Sequence, residues 1–268
     1  MMEFINEIRS RNSVLFVFGA VSWIFAIIFL VLSATTEIKV QQVNAWYKPF
    51  KFAVSIAMYA WSMAWFVHYL QSWSPSYFQW TVVIMFGFEI VYIGWKAAQG
   101  EQSHFNVSTP FHSAMYAMMA IAASVVTAYT AYFGYLFFVN DFPELPSHYI
   151  TAIRWGIVIF VIFSFQGFLM GSRLSHTIGG ADGGPGLPIL NWSTKWGDAR
   201  VAHFIGMHAL QILPLLAYYL FKNTRVTMIA VVFYLLLAVA ALVQALKGRP
   251  LVQLQPPSDQ HSSAVDEA

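Results

Sequence analysis

Long apolar runs separated by short polar ones leave this chain few environments in which to fold. Seven stand out: Ser13–Ser33, Phe50–Leu70, Tyr77–Ala97, Phe111–Val139, Tyr149–Gly171, Val201–Leu220 and Val226–Ala245. Each is close to the ~20 residues that cross a hydrocarbon layer ~30 Å thick. Lipid offers the backbone no hydrogen-bond partner, and the alternation of a barrel strand is absent, so the runs are expected to be helices. The fold class that follows is an all-α integral membrane protein, a bundle of about seven transmembrane helices over residues 1–248. A disordered tail is expected over 249–268, where Pro256, Pro257 and polar residues show no apolar period.

Composition agrees where it bears on this. Only 10% of residues are charged, against about 25% in a soluble domain. The 10 Trp and 13 Tyr suit belts at the lipid–water boundary. Arg9 and Arg11 ahead of the first run resemble a signal-peptide start, but its apolar core exceeds the 7–15 residues usual for a signal, so a retained helix is expected. A net charge of +2 with no basic run interleaved with aromatics excludes a nucleic-acid partner. With no cysteine, thiolate ligands, iron–sulfur clusters and Cys nucleophiles are excluded together. A metal would need His, carboxylate, Met or carbonyl ligands.

Lys39, Lys48, Lys51, Lys96, Arg173, Lys195, Arg200, Lys247 and Arg249 fall on one side of the seven spans. Arg9, Arg11, Arg154, Lys222 and Arg225 fall on the other. The positive-inside bias then places the C-terminus in the cytoplasm, of a bacterial inner-membrane type. The loops Gln71–Tyr77 and Asn140–His148, which carry no Lys or Arg, are expected outside.

The polar residues gather toward the more basic side. The longest loop there, from Ser172 to Arg200, holds His176, the run Gly179–Gly186 and Asp198. The glycines allow either tight turns or a plain linker; the run lacks the Gly-Lys-Ser/Thr ending of a phosphate loop. Glu89 lies roughly 12 Å along its helix from that side, at 1.5 Å per residue, with Lys96 two turns on and on the same face. Gln166 and Arg173 share the same spacing, and Asp198 is placed to cap a helix carrying Arg200, His203, His208 and Gln211. Ionisable groups inside a membrane are costly, face the bundle interior and mark function.

These residues define an expected single site. Glu89, His208 and His203 are its acid–base candidates. Arg173, Arg200, Asp198, Gln166, Gln211, Lys96 and His104 are candidates to hold a small anionic or lipidic substrate, and His112, His176 and His208 to ligate a metal. His203 and His208, five residues apart, diverge by about 140° and do not form one metal pair. No His-Glu-x-x-His zinc motif, Gly-x-Ser-x-Gly elbow or Arg-rich voltage sensor is present. The expectation is a membrane-embedded enzyme, with haem or His-ligated metal redox chemistry foremost and lipid hydrolysis or transfer next. The alternatives are a small-molecule or proton-coupled transporter or sensor, and a structural subunit without chemistry. The enzyme and transporter readings both require Glu89 and His208 to converge.

Overall fold

A computed structural model describes residues 2–70 and 73–253. Among these, seven helices are long and apolar enough to cross a membrane. The protein is an all-α, multi-pass integral membrane protein. Its helices are α1 (Met2–Arg11), α2 (Ser13–Thr35), α3 (Tyr47–Val67), α4 (Ser76–Ala98), α5 (Pro110–Val139), α6 (Ser147–Phe165), α7 (Gly167–Arg173), α8 (Ala199–Leu216) and α9 (Thr224–Leu246). The tail from 254 on, with Pro256, Pro257 and His261, lies outside the described residues.

The helix ends follow from local chemistry. Asn12 caps α2 by accepting from the Leu15 N–H, Thr109 caps α5 from His112, and Asn223 caps α9 from Arg225 and Val226. Three features were not legible as separate elements. α1 is a short helix at the membrane edge; its Arg11 guanidinium lies over the Trp65 ring, 3.9 Å from the centroid, and bonds Glu7. The fifth span breaks at Gln166 into α6 and α7, and a left-handed Leu174 ends α7. Past Pro214, α8 runs on into a π-helical turn at Ala217–Phe221, closed by the Lys222 N–H on the Ala217 carbonyl at 3.1 Å.

Small residues set the closest helix contacts, as expected where lipid supplies no hydrophobic drive between helices. Gly19, Ser22 and Ala26 of α2 and Ala53, Ala57, Ala60 and Ala64 of α3 are buried, and α2 and α3 pack along their length. α6 and α8 meet at Gly156, where a Cβ would lie 2.9 Å from the Ala209 carbonyl oxygen. One half of the interior is aromatic and closed: Phe78, Phe133 and Phe137 are wholly buried. At mid-bundle Tyr59 stacks on Phe160 with ring centroids 5.5 Å apart, and its hydroxyl pairs with Thr130 at 2.6 Å.

The other end is built from loops. Residues 36–46 carry a two-stranded ribbon, β1 (Lys39–Val40) with β2 (Val43–Asn44). Residues 174–198 close a second, β3 (Thr177–Ile178) with β4 (Gly197–Asp198). These loops and 99–109 emerge on one face, here the loop face, and form a shared cap. Phe105 meets His176 with ring centroids 4.7 Å apart. Lys51 donates to the Leu190 carbonyl at 2.7 Å.

Replacing Gly156 by Leu is expected to force α6 from α8 backbone to backbone, destabilising the bundle by about 1–3 kcal/mol. Thermal melting in detergent measures it. Gly87→Ala, whose Cβ meets only Phe18 at 3.9 Å, should leave the midpoint unchanged or slightly raised.

Candidate functional site

The polar residues of the loop face fall into distinct clusters rather than one site. The first is a knot at the end of α4. Lys96, 2% exposed, donates to Gln99 at 2.9 Å and Glu101 at 2.8 Å, and its Nζ lies 3.0 Å from His112 Nε2. His112 Nδ1 meets the Ser108 hydroxyl at 3.0 Å. The Lys96 hydrogen bond holds the Glu101 carboxyl below the usual carboxylate range, and the charges of Lys96 and His112 add to it. Both His112 nitrogens are engaged, so this cluster ties α4 to α5.

The second is a clamp on the long loop. Asp198 accepts the Arg200 N–H at 3.0 Å, the expected N-cap, and the Ser193 N–H at 2.8 Å. Its carboxylate also takes the Arg200 guanidinium, with Nη2–Oδ2 at 2.6 Å. Arg200 reaches on to the Asn191 carbonyl. Lys51 and Arg200 thus hold the carbonyls of consecutive residues, pinning the loop over the ends of α3 and α8.

The third lies beneath the cap. Glu89 is 4% exposed and makes no hydrogen bond or ion pair with a described residue; the charged group that acts on it is Lys48. Lys48 is half-buried and likewise has no ion pair among the described residues. Its ammonium lies in the field of Arg200, Lys51, Glu89 and Asp182 and acts in turn on His104 and His176. Phe52, one turn along α3, faces the His104 ring at 5.4 Å. Burial pushes His104 well below the ordinary imidazole range, with Lys48 and His176 adding to the shift. Burial also lowers His176, against the opposing hydrogen bond of Asp182. Above these groups a cavity of about 470 Å³ opens between the loops, lined by Gln41, Gln102, His104, Phe105, His176 and Asp182 among others.

The remaining candidates stand apart. His203 Nδ1 bonds the Phe163 carbonyl at 2.7 Å, bracing α8 on α6. His208 Nδ1 turns to its own helix, to the Phe204 carbonyl at 2.8 Å, with its ring against the exposed Phe204 ring. Glu89 and His208 share no contact or electrostatic partner, so the expected convergence is not seen. Arg173 is exposed and bonds no described residue, so Arg173 and Arg200 do not close as a clamp. Gln211 is half-buried on α8. The Gln166 amide is buried at the α6–α7 break with neither end partnered among the described residues. Among the described residues no three His, Asp or Glu side chains are grouped as a metal requires. His112, His176 and His208 lie in three separate settings.

Lys48 and Asp182 were not picked out from sequence as site residues. Lys48 reads as a charge at a helix end, and Asp182 as part of a glycine run. Several of the Lys and Arg counted for orientation are engaged in local contacts on both faces, Lys51, Lys96 and Arg200 on the loop face and Arg11 and Arg154 on the other. Comparison with protein-family models, with curated proteins and with solved structures finds no match to this chain.

The lowered imidazoles set the sign of a pH effect. A folded-state pKa below the unfolded value near 6.5 means that the unfolded chain binds more protons. The contribution of His104 and His176 is therefore full above about pH 6.5 and is lost as pH falls through the window below it. Acidification should speed amide exchange in 99–109 and 174–198, after correction for intrinsic rates, while 140–146 on the opposite face does not change. Hydrogen-exchange mass spectrometry reads this.

Proposed function

We propose that this is a membrane-embedded enzyme of the acid–base kind, acting on a small anionic molecule that enters from the loop face. The observation that carries the reading is the Lys48 side chain, held beneath the cap among Arg200, Lys51, Glu89 and Asp182 without an ion pair to any described residue. A cation in such a place calls for an anion or water. The carboxylates whose fields reach Lys48 do not neutralise it by contact. Asp182 is saturated by four hydrogen bonds from Ser175, His176 and Thr177, and Glu89 forms no ion pair. Arg200 and Lys51 add positive field. Glu89 is then the acid–base group at the inner end of the site.

Enzyme is favoured over transporter by the floor below the site. Tyr59, packed on Phe86 and Phe160 and bonded to Thr130, closes the bundle at mid-depth, and the wholly buried Phe78, Phe133 and Phe137 lie beyond it. The opposite face carries its own cavity of about 440 Å³, lined by Arg11, His68, Asp141 and Glu144 among others, and in this reading Tyr59 and these phenylalanines separate it from the site. The His residues do not converge as a ligand set, so no step is routed through a metal or haem. The loops without Lys or Arg lie on the opposite face, which makes the loop face the cytoplasmic one in this reading.

Inorganic phosphate, pyrophosphate and citrate, titrated against the detergent-purified protein, test the reading by thermal shift. At least one is expected to raise the melting temperature of the wild type. Lys48→Met should weaken that anion by about ten-fold or more, ~1.4 kcal/mol, and Lys195→Met, an exposed cation of the same face, should not. A Lys48→Met protein that responds like the wild type, or a wild type stabilised by none of the three, rejects it.

A further inference from the structure

The glycine run of the long loop is a built turn. Gly179 and Gly183 hold φ of +99° and +87°, a left-handed backbone region that suits glycine. Between them the chain folds back and sets the Asp182 carboxylate on the backbone it has just left. One oxygen accepts the Thr177 N–H at 2.9 Å and the Ser175 hydroxyl at 3.1 Å. The other meets the His176 N–H and the His176 ring Nδ1, each at 3.1 Å. These hydrogen bonds outweigh the cost of partial burial and keep the Asp182 carboxyl far below the usual range, hence ionised.

An ionised carboxylate is acceptor-only, so the atom facing it at Nδ1 must be a donor. That leaves His176 Nε2 with a free lone pair. It has no hydrogen-bond partner among the described residues, and the ring stays 22% exposed in the 470 Å³ cavity. Phe105 packs against the ring and fixes its plane. A carboxylate that selects the tautomer of an imidazole, whose other nitrogen opens on a cavity, is a general-base arrangement.

We propose that His176 is the general base of the site and Asp182 its positioning residue, acting on a hydroxyl group of the anionic substrate. The O–H bond breaks, the proton goes to the Nε2 lone pair, and the electron pair stays on oxygen. The imidazolium is stabilised by Asp182, and the oxyanion lies in the field of Lys48 and Arg200. The proton then leaves to water through the cavity mouth. The proposal rests on the anion-binding reading for the charge of the substrate and not for the state of His176.

Two measurements on the full chain in detergent test it. Nitrogen-15 NMR of histidine-labelled protein, with His176 assigned by its loss in His176→Gln, should show a neutral ring protonated at Nδ1 at about pH 7.5. A ring protonated at Nε2, or an imidazolium, overturns the proposal. Diethyl pyrocarbonate, which attacks an unprotonated imidazole nitrogen, should modify His176, and Asp182→Asn should slow this by about ten-fold or more as the tautomer is released. An unreactive His176, or one indifferent to Asp182→Asn, overturns it too. Inorganic phosphate should protect His176 in the wild type and not in Lys48→Met. Reactivity with the expected tautomer but no protection by phosphate leaves the dyad standing and counts against the anion reading alone.

Discussion

A charge cannot rest in hydrocarbon without a partner or water, and that requirement shapes this protein more than any single helix contact. The buried charges of the loop-face half divide by how they meet the demand. Lys96 does so with Gln99, Glu101 and His112. Arg200 does so with Asp198 and a backbone carbonyl, and Lys51 with the neighbouring carbonyl. Lys48 and Glu89 do not, among the described residues. They sit under loops drawn together by the groups that do. The opposite half meets it at its rim, where Arg11 bonds Glu7 and the Trp65 carbonyl and Arg154 the Phe137 carbonyl, around an aromatic core with Tyr59 and Thr130 satisfying each other at the boundary.

The spans were legible because each is a long apolar run, and all seven loop-face ends agree with the sequence reading to within three residues. The break at Gln166 was not. Just beyond it Gly167 and Gly171 seat against His203 and the Tyr116 hydroxyl, contacts that no periodicity records. The cap was legible as a concentration of polar residues, but its ribbons are two residues per strand, too short to show an alternation.

The site was legible only in its outline. Glu89 was found from depth alone, since a carboxylate about eight residues inside an apolar helix is conspicuous. Lys96, which shares its helical face, turns to Glu101 and His112, and the charged group that acts on Glu89 is Lys48 of another helix. His112, His176 and His208 invited a metal by residue type. The structure gives each its own neighbours, respectively a lysine, an aspartate and its own helix. Residue type marks where chemistry is affordable; which groups meet is decided by phase and loop closure.

The central claim is a water-filled polar site open only to the loop face and selective for negative charge. Ser55 lies on α3 seven residues below Lys48, about 10 Å deeper at 1.5 Å per residue and nearly in phase with it, just above Tyr59. The chain has no cysteine, so Ser55→Cys supplies a single thiol. In sealed vesicles of known orientation, an anionic methanethiosulfonate should label it from the loop face, faster than the cationic reagent, and not from the opposite face. A thiol that stays unlabelled, prefers the cationic reagent or reacts equally from both sides would contradict the account.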